Sequence, residues 1–197
     1  VIDDHTDMVR GAFLQTDGWR ESVEHAVRLS REINIRYIPQ RVRRLIATMP
    51  RRKDGAWLYP DLWTGAKLIL KTEDAVAEGG ELVVWAPDLS SVSDTHGSLL
   101  KQIGYHTYAY FLSNPSTWQA VNASPLALNG SALVKGEGQM LGGKEIPRID
   151  VRLATAIPPD ECAQLNLGYE DPAAVAAEIS SAVPNTIQND CLVVPDA

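Results

Sequence analysis

Apolar and polar positions recur along the chain with two different periods, and each change of period marks the edge of an element. Trp19, Val23, Ala26, Val27, Ser30 and Ile33 come back every three or four residues, with Glu21, Glu24, Arg28, Arg31 and Glu32 turned outward. That spacing predicts an amphipathic helix over 18–33. Strand-like apolar content at 8–15 precedes it, and Thr16, Asp17 and Gly18 supply turn and N-cap chemistry between the two. Short apolar runs at 35–38 and 45–49, the second stopped by Pro50, read as buried strands of a sheet covered on both faces. Pro60 and Asp61 open a helix in which Ala66, Leu68, Ile69, Ala75 and Val76 face the core, and Gly79-Gly80 closes it. The run ELVVWA at 81–86 is then a central strand, stopped by Pro87.

Leu99, Leu100 and Ile103 predict a short helix ended by Gly104, and an aromatic-rich helix follows from Tyr105 to Leu112. The stretch 128–143 is rich in glycine and poorly periodic, which predicts a mobile loop. Alternation returns at 147–156 as a strand. Pro158 and Pro159 open a helix carrying Cys162 and Leu165, Asp171-Pro172 opens another to about Ala182, and a last strand at 190–195 buries Cys191, Leu192 and Val194. Strands and helices in this alternation predict an α/β fold: a layered mixed or parallel sheet flanked by helices, Rossmann-like, with right-handed crossovers. In such sheets ligands sit at the carboxyl ends of the strands, so the loop 87–97 lies over the expected active edge.

Composition narrows the function classes. With 197 residues, 45% of them apolar, the chain can bury the core of one large domain or of a domain and a half. A formal charge of −7 argues against nucleic acid and anionic lipid as partners, because phosphate binding needs a basic footprint. No apolar run approaches the roughly 20 residues that cross a bilayer. Cys162 and Cys191 form no CxxC pair and read as reduced thiols, which makes the expected compartment cytoplasmic. On that reading the sequons at Asn122 and Asn129 are chance matches. The opening Val1-Ile2-Asp3-Asp4, without an initiator methionine, reads as that of a fragment.

Several residue types at these positions carry candidate chemistry. Lys67 follows Asp61 by six residues and Thr64 by three, so Thr64 and Lys67 share one helix face near a terminus that favours anions. It either holds a carboxylate or is a solvent-exposed lysine like Lys71. His96, between Thr95 and Gly97 on the loop at the active edge, suits general acid or base work, or else only caps the next helix with Asp94 beside it. Gly97 lets backbone approach a ligand closely. His106 could share a site with His96, although no HxH, HxxxH or cysteine set accompanies them. His5 among Asp3, Asp4 and Asp7 has a metal-like composition but is equally an acidic turn, and His25 falls between the inward positions of its helix. The basic residues Arg41, Arg43, Arg44, Arg51, Arg52 and Lys53 either receive an anion or are solvated strand flanks. The glycines at 136–143 do not match a dinucleotide loop.

The motif DLWTGAK at 61–67, the GGELVV strand entry at 79–84, SDTHG at 93–97, IGYH at 103–106, Tyr110-Phe111, 148–156 and NLGYEDP at 166–172 together resemble the C-terminal domain of the nickel-dependent lactate racemase family, over nearly the whole chain. The resemblance implies a domain, residues 1–197, of a racemase or epimerase that removes a hydride from the hydroxyl-bearing carbon of a 2-hydroxy acid and returns it to either face. It implies a nickel pincer nucleotide held mainly by an N-terminal domain, in cis or in trans, without which this chain is inactive. It places Lys67 and His96 as catalytic residues, with Asp61, Trp63, Thr64, Thr95, Gly97 and His106 around the substrate and no metal ligand in this chain. Thr64 stands where the family has a glutamine. A homo-oligomer is compatible with this reading. The alternative is a non-catalytic domain that keeps the racemase-like scaffold for small-molecule binding or assembly.

Overall fold

A computed structural model describes residues 2–3, 8–13, 18–119 and 137–197, which divide into two compact units, 1–39 and 40–197. In the first unit β1 (Ile2–Asp3) pairs antiparallel with β2 (Met8–Val9), and α1 (Trp19–Asn34) follows. The strand expected over 8–15 is therefore two residues long where it is described. The run at 35–38 is not a strand at all. Ile35 is 47% and Tyr37 82% exposed, so no facing element rewards the extended backbone that their side chains favour.

The second unit is built on a five-stranded sheet, all parallel, in the order β8-β7-β4-β3-β9. Its strands are β3 (Val42–Thr48), β4 (Val76–Ala86), β7 (Asp150–Thr155), β8 (Gly168–Tyr169) and β9 (Cys191–Val194). Alternate residues point to opposite faces. One face carries Leu45, Ala47, Leu82, Val84, Ala86, Val151 and Leu153, all fully buried. Burying each of the larger ones stabilises the fold by about 1.5–3 kcal/mol. The other face carries Ile46, Val83, Ala154 and Val193 under Val175 of the carboxyl-terminal helix.

Short helices make the crossovers. α2 (Leu62–Gly65) and α3 (Lys67–Thr72) lead from β3 to β4. Between β4 and β7 come α4 (Gly97–Ile103), α5 (Tyr108–Ser113), α6 (Pro115–Gln119) and a hairpin of β5 (Gly138–Leu141) with β6 (Lys144–Pro147). α7 (Pro159–Gln164) and α8 (Pro172–Ser181) each start on proline, and Asp171 caps α8 by accepting the Ala173 N–H at 3.0 Å. Gly104 ends α4 at φ +81°, a left-handed conformation suited to glycine. The outer edge of β9 is occupied: Cys191 exchanges both backbone bonds with Gln188 at 2.9 Å, and the Val193 carbonyl accepts from Asn185 at 2.8 Å.

Three expectations change. The helix after Asp61 breaks at Ala66 and stops at Thr72; a 3₁₀ turn (Glu73–Ala75) follows and β4 already begins at Val76. Gly79-Gly80 therefore lies inside a strand, in a bulge where Val42 faces Val76 but Arg44 faces Glu81. Gly79 has φ +68°, and a Cβ on Gly80 would sit 2.7 Å from the Arg43 carbonyl oxygen, so the backbone demands both glycines. The described part of the glycine-rich stretch 128–143 is a strand and a Gly142-Gly143 turn rather than a loop, and the aromatic helix begins at Tyr108, not Tyr105. His5, Thr16, Asp17, Asn122 and Asn129 lie outside the described residues.

Candidate functional site

The carboxyl ends of β3 and β4 open onto the turn 49–60, the loop 87–96 and the start of α2. Asp61 is the N-cap of α2: its Oδ1 accepts the Thr64 N–H at 2.8 Å and the Thr64 hydroxyl at 2.6 Å. A cap of this kind is worth about 1 kcal/mol. The next free donors of the helix bind the opposite loop, Leu62 N–H to Ser91 O and Trp63 N–H to Val92 O, both at 3.0 Å. Buried Leu89 and Val92 anchor that loop from within. Helix start and loop are thus one rigid ledge above the sheet.

On this ledge the His96 ring lies 4.7 Å from the Trp63 ring at a 50° tilt, and the His96 backbone N–H donates to Ser93 Oγ at 3.1 Å. Asp94 and Thr95 are exposed. Gly97 is buried, but a Cβ there would meet only Val92 Cβ at 4.0 Å, so nothing among the described residues requires glycine. Lys67 is the first residue of α3 rather than two turns into a continuous helix. Ala66 keeps helical angles (φ −57°, ψ −16°), so Lys67 still follows Trp63 by about one turn on the same side. The ammonium is exposed, 5.6 Å from the Tyr59 ring, and pairs with no carboxylate among the described residues. Tyr59, Trp63, Lys67 and His96 thus share the carboxyl edge, with no hydrogen bond joining Lys67 to His96.

His106 belongs to a different cluster. Its Nδ1 lies 2.7 Å from Glu145 Oε2 and its Nε2 2.8 Å from the Ile103 carbonyl, while the ring stacks on Tyr110 at 3.6 Å. Asn166 Nδ2 donates to the Tyr105 carbonyl and to Glu145, and the second Glu145 oxygen accepts the Thr107 N–H at 2.6 Å. At 9% exposure, with both ring nitrogens engaged, His106 clamps the β5–β6 hairpin to the α4–α5 junction. Glu145 is 39 positions from His106, which is why spacing did not reveal the pair.

The basic residues separate. Arg44 is 19% exposed and surrounded by Glu81 (2.5 Å), Glu170 (2.8 Å) and Glu178 (2.9 Å), which hold its charge above the ordinary guanidinium range. Arg44 in turn keeps the Glu170 carboxyl below the usual range. Arg51 lies 3.5 Å over the Trp57 ring and binds Asp88, tying the turn 49–60 to the loop 87–96. Nothing in the sequence singles out Tyr59, whereas Tyr105 belongs to the IGYH motif and the aromatic run. Tyr105 is wholly buried, and burial, then the Asp61 charge, pushes its hydroxyl up out of the ordinary tyrosine range. Burial also raises the Cys162 thiol to about 11, which leaves it an inert core thiol.

No three His, Cys, Asp or Glu side chains converge to hold a metal ion among the described residues. None of the described helices is long and apolar enough to cross a membrane.

No protein-family profile matches the chain, and no curated protein does. Solved structures do. A Thermotoga maritima protein determined by the Northeast Structural Genomics Consortium is 28% identical, with a TM-score of 0.70 over 90% of this chain and 40% of its own. The lactate racemase apoprotein from Thermoanaerobacterium thermosaccharolyticum is 11% identical, with a TM-score of 0.52 over 88% of this chain and 38% of its own. The chain therefore shares the α/β fold of the matching part of each neighbour and spans about two-fifths of the length of both.

Proposed function

We propose that this chain is the C-terminal-type domain of a racemase or epimerase acting on a 2-hydroxy acid by hydride abstraction and return, completed by a cofactor-binding domain in cis or in trans. The reading is supported by the scaffold shared with lactate racemase and carried by one observation: an unpaired ammonium, Lys67, follows by one turn an indole packed on an imidazole, Trp63 on His96, at the carboxyl edge of a parallel sheet. The pincer nucleotide would be held mainly by the other domain; the described residues gather no donor set for nickel.

The roles of this chain's own residues follow from their chemistry. Lys67 holds the substrate carboxylate. Trp63 and Tyr59 supply apolar surface beside it, which the other domain would cover to exclude water and strengthen that pairing. His96 takes and returns the hydroxyl proton while Trp63 fixes its ring plane. A charge-assisted bond is worth about 3 kcal/mol, so in the complete enzyme Lys67→Ala lowers turnover by roughly 10²-fold or more without moving the melting temperature. Wild-type turnover in that variant overturns the assignment.

One observation favours the alternative of a non-catalytic binding or assembly domain: the Thr64 hydroxyl, at the position of the family's glutamine, is consumed by Asp61. Calorimetric titration with hydroxy acids, with and without the partner domain, separates the two. Binding that never leads to exchange of the carbon-bound hydrogen selects the second.

A further inference from the structure

On the face of the sheet that packs under α8, Ile46 and Val193 floor a cleft of about 540 Å³. Glu178 and Ser181, at the carboxyl end of α8, form one wall, and Gln188 and Asn189, in the turn before β9, form the other. The volume lies within the roughly 300–1,000 Å³ of clefts that take small molecules. None of Tyr59, Trp63, Lys67 and His96 lines it.

The lining decides the sign of what fits. It contains no arginine, lysine or histidine, so nothing in it compensates the desolvation of a carboxylate or phosphate. Its one charged side chain is Glu178, 46% exposed. Arg44 binds both Glu178 oxygens, at 2.9 and 3.0 Å, but also holds Glu81 and Glu170. Arg152 and Asp150 join the same network, in which two guanidiniums face four carboxylates, so an excess of negative charge remains. The hydroxyls at the cleft are spent as donors, Ser181 to the Glu178 carbonyl at 2.9 Å and Thr186 to the Pro184 carbonyl at 3.4 Å, and offer a ligand only acceptor oxygens. No described group donates to the carbonyls of Ser181 and Ala182, at the end of α8 where the helix dipole is negative. Burial raises the Cys191 thiol above its ordinary range, so it lines the cleft as a neutral, apolar contact. We infer that this cleft binds a small organic cation, a primary amine or guanidine on an apolar body, with its positive end at Glu178 and the carboxyl end of α8 and its body on Ile46 and Val193. The same lining repels the carboxylate of a hydroxy acid, so this site is separate from the one at the carboxyl edge and does not rest on the racemase reading.

The probe is 4-phenylbutylamine, with 4-phenylbutyrate, which carries a carboxylate on the same body, as its control. Amide spectra of the isotopically labelled whole chain follow both titrations. The amine should bind with a Kd of about 1 mM or tighter and about tenfold or more ahead of the acid, moving amides at 178–193 and not those at 61–67. Glu178→Gln should weaken the amine roughly two- to fivefold, the range of a partly exposed ion pair. Ser181→Phe, at an exposed position, fills the cleft and should abolish binding, and unchanged amide dispersion elsewhere shows that each variant is folded. The cleft is overturned as a cation site if the amine gives no saturable shift up to about 10 mM, if it moves amides outside 178–193 instead, or if the acid binds as tightly. It is equally overturned if both folded variants bind the amine as wild type does. The comparison of amine with acid decides the matter even where a variant fails to fold, and no readout depends on turnover, so loss of the racemase reading leaves this result in force.

Discussion

Glu73, in the 3₁₀ turn that leads into β4, makes the stability of the fold depend on pH in an unusual direction. Its carboxyl is half-buried and Oε2 has no partner. The nearby Arg148 guanidinium spends its donors on backbone instead, giving one to the Glu73 carbonyl at 2.6 Å and one to the Val76 carbonyl at 2.7 Å. Burial pushes the carboxyl from 4.5 to about 7; the Arg148 charge pulls it down, and Asp74 and Glu137 push it further up. Between those values the folded chain keeps a proton that the unfolded chain has released, so this group's contribution falls as pH rises from 4.5 to 7 and is flat above. The rise of about 2.5 corresponds to at most ~3.4 kcal/mol at 1.36 kcal/mol per pKa unit, from 7 less 4.5. Solvent screening of a half-exposed group reduces this to about 1–2 kcal/mol.

Glu73→Gln removes the ionisation and keeps the shape. Urea unfolding at pH 8 should show the variant about 1–2 kcal/mol more stable than wild type, and at pH 4.5 the two should coincide within about 0.5 kcal/mol. Glu170, held ionised by Arg44, changes stability with pH in the opposite sense but equally in both proteins, so the difference isolates Glu73. A variant less stable at pH 8, or a gap that is the same at both pH values, refutes the reasoning.

Gly80→Ala should cost more than about 2 kcal/mol in the same assay, because its Cβ meets the Arg43 carbonyl and Gly79 cannot move away. Replacing Arg44 with Met leaves Glu81 and Glu170 with Arg152 alone, at 3.3 and 3.6 Å, and takes the arginine partner from Glu178; it should destabilise by roughly 2–3 kcal/mol at pH 7, with much of the loss regained near pH 4 as the carboxylates protonate. Glu145→Gln weakens the clamp on His106 and Thr107, so amide exchange in the hairpin at 138–147 should quicken at least tenfold while β3 and β4 stay protected.

How much of this was legible in the sequence depends on the range of the interactions involved. β3, β4 and β9 were readable as short apolar runs and β7 from its alternation of apolar and polar residues, because the fold supplies the neighbours that cover their apolar side chains. α8 was readable from Asp171-Pro172, since cap and first turn are local chemistry. Gly79-Gly80 was not, because two glycines serve equally as a helix stop or as a bulge, and only the Arg43 carbonyl across the strand decides. The ledge of Asp61, Trp63 and His96 was anticipated as a neighbourhood, but the contact of indole with imidazole needed the backbone bonds from Leu62 and Trp63 to the loop. His106 was drawn toward the site by its proximity to His96 in sequence; Glu145 and Asn166, distant in sequence, pull it elsewhere. That the Tyr105 hydroxyl has no partner among the described residues could not be foreseen, because it is a property of the whole packed interior.

The turn that closes over β9 bears on how the protein behaves in concentrated solution. Parallel sheets grow by recruiting further strands at a bare margin, the route that leads to fibres. Here the outward-facing groups of Cys191 and the Val193 carbonyl are already spoken for by Gln188 and Asn185 of the same chain. A second molecule can add to that flank only after the turn has peeled off, so crowding alone gives it no foothold there.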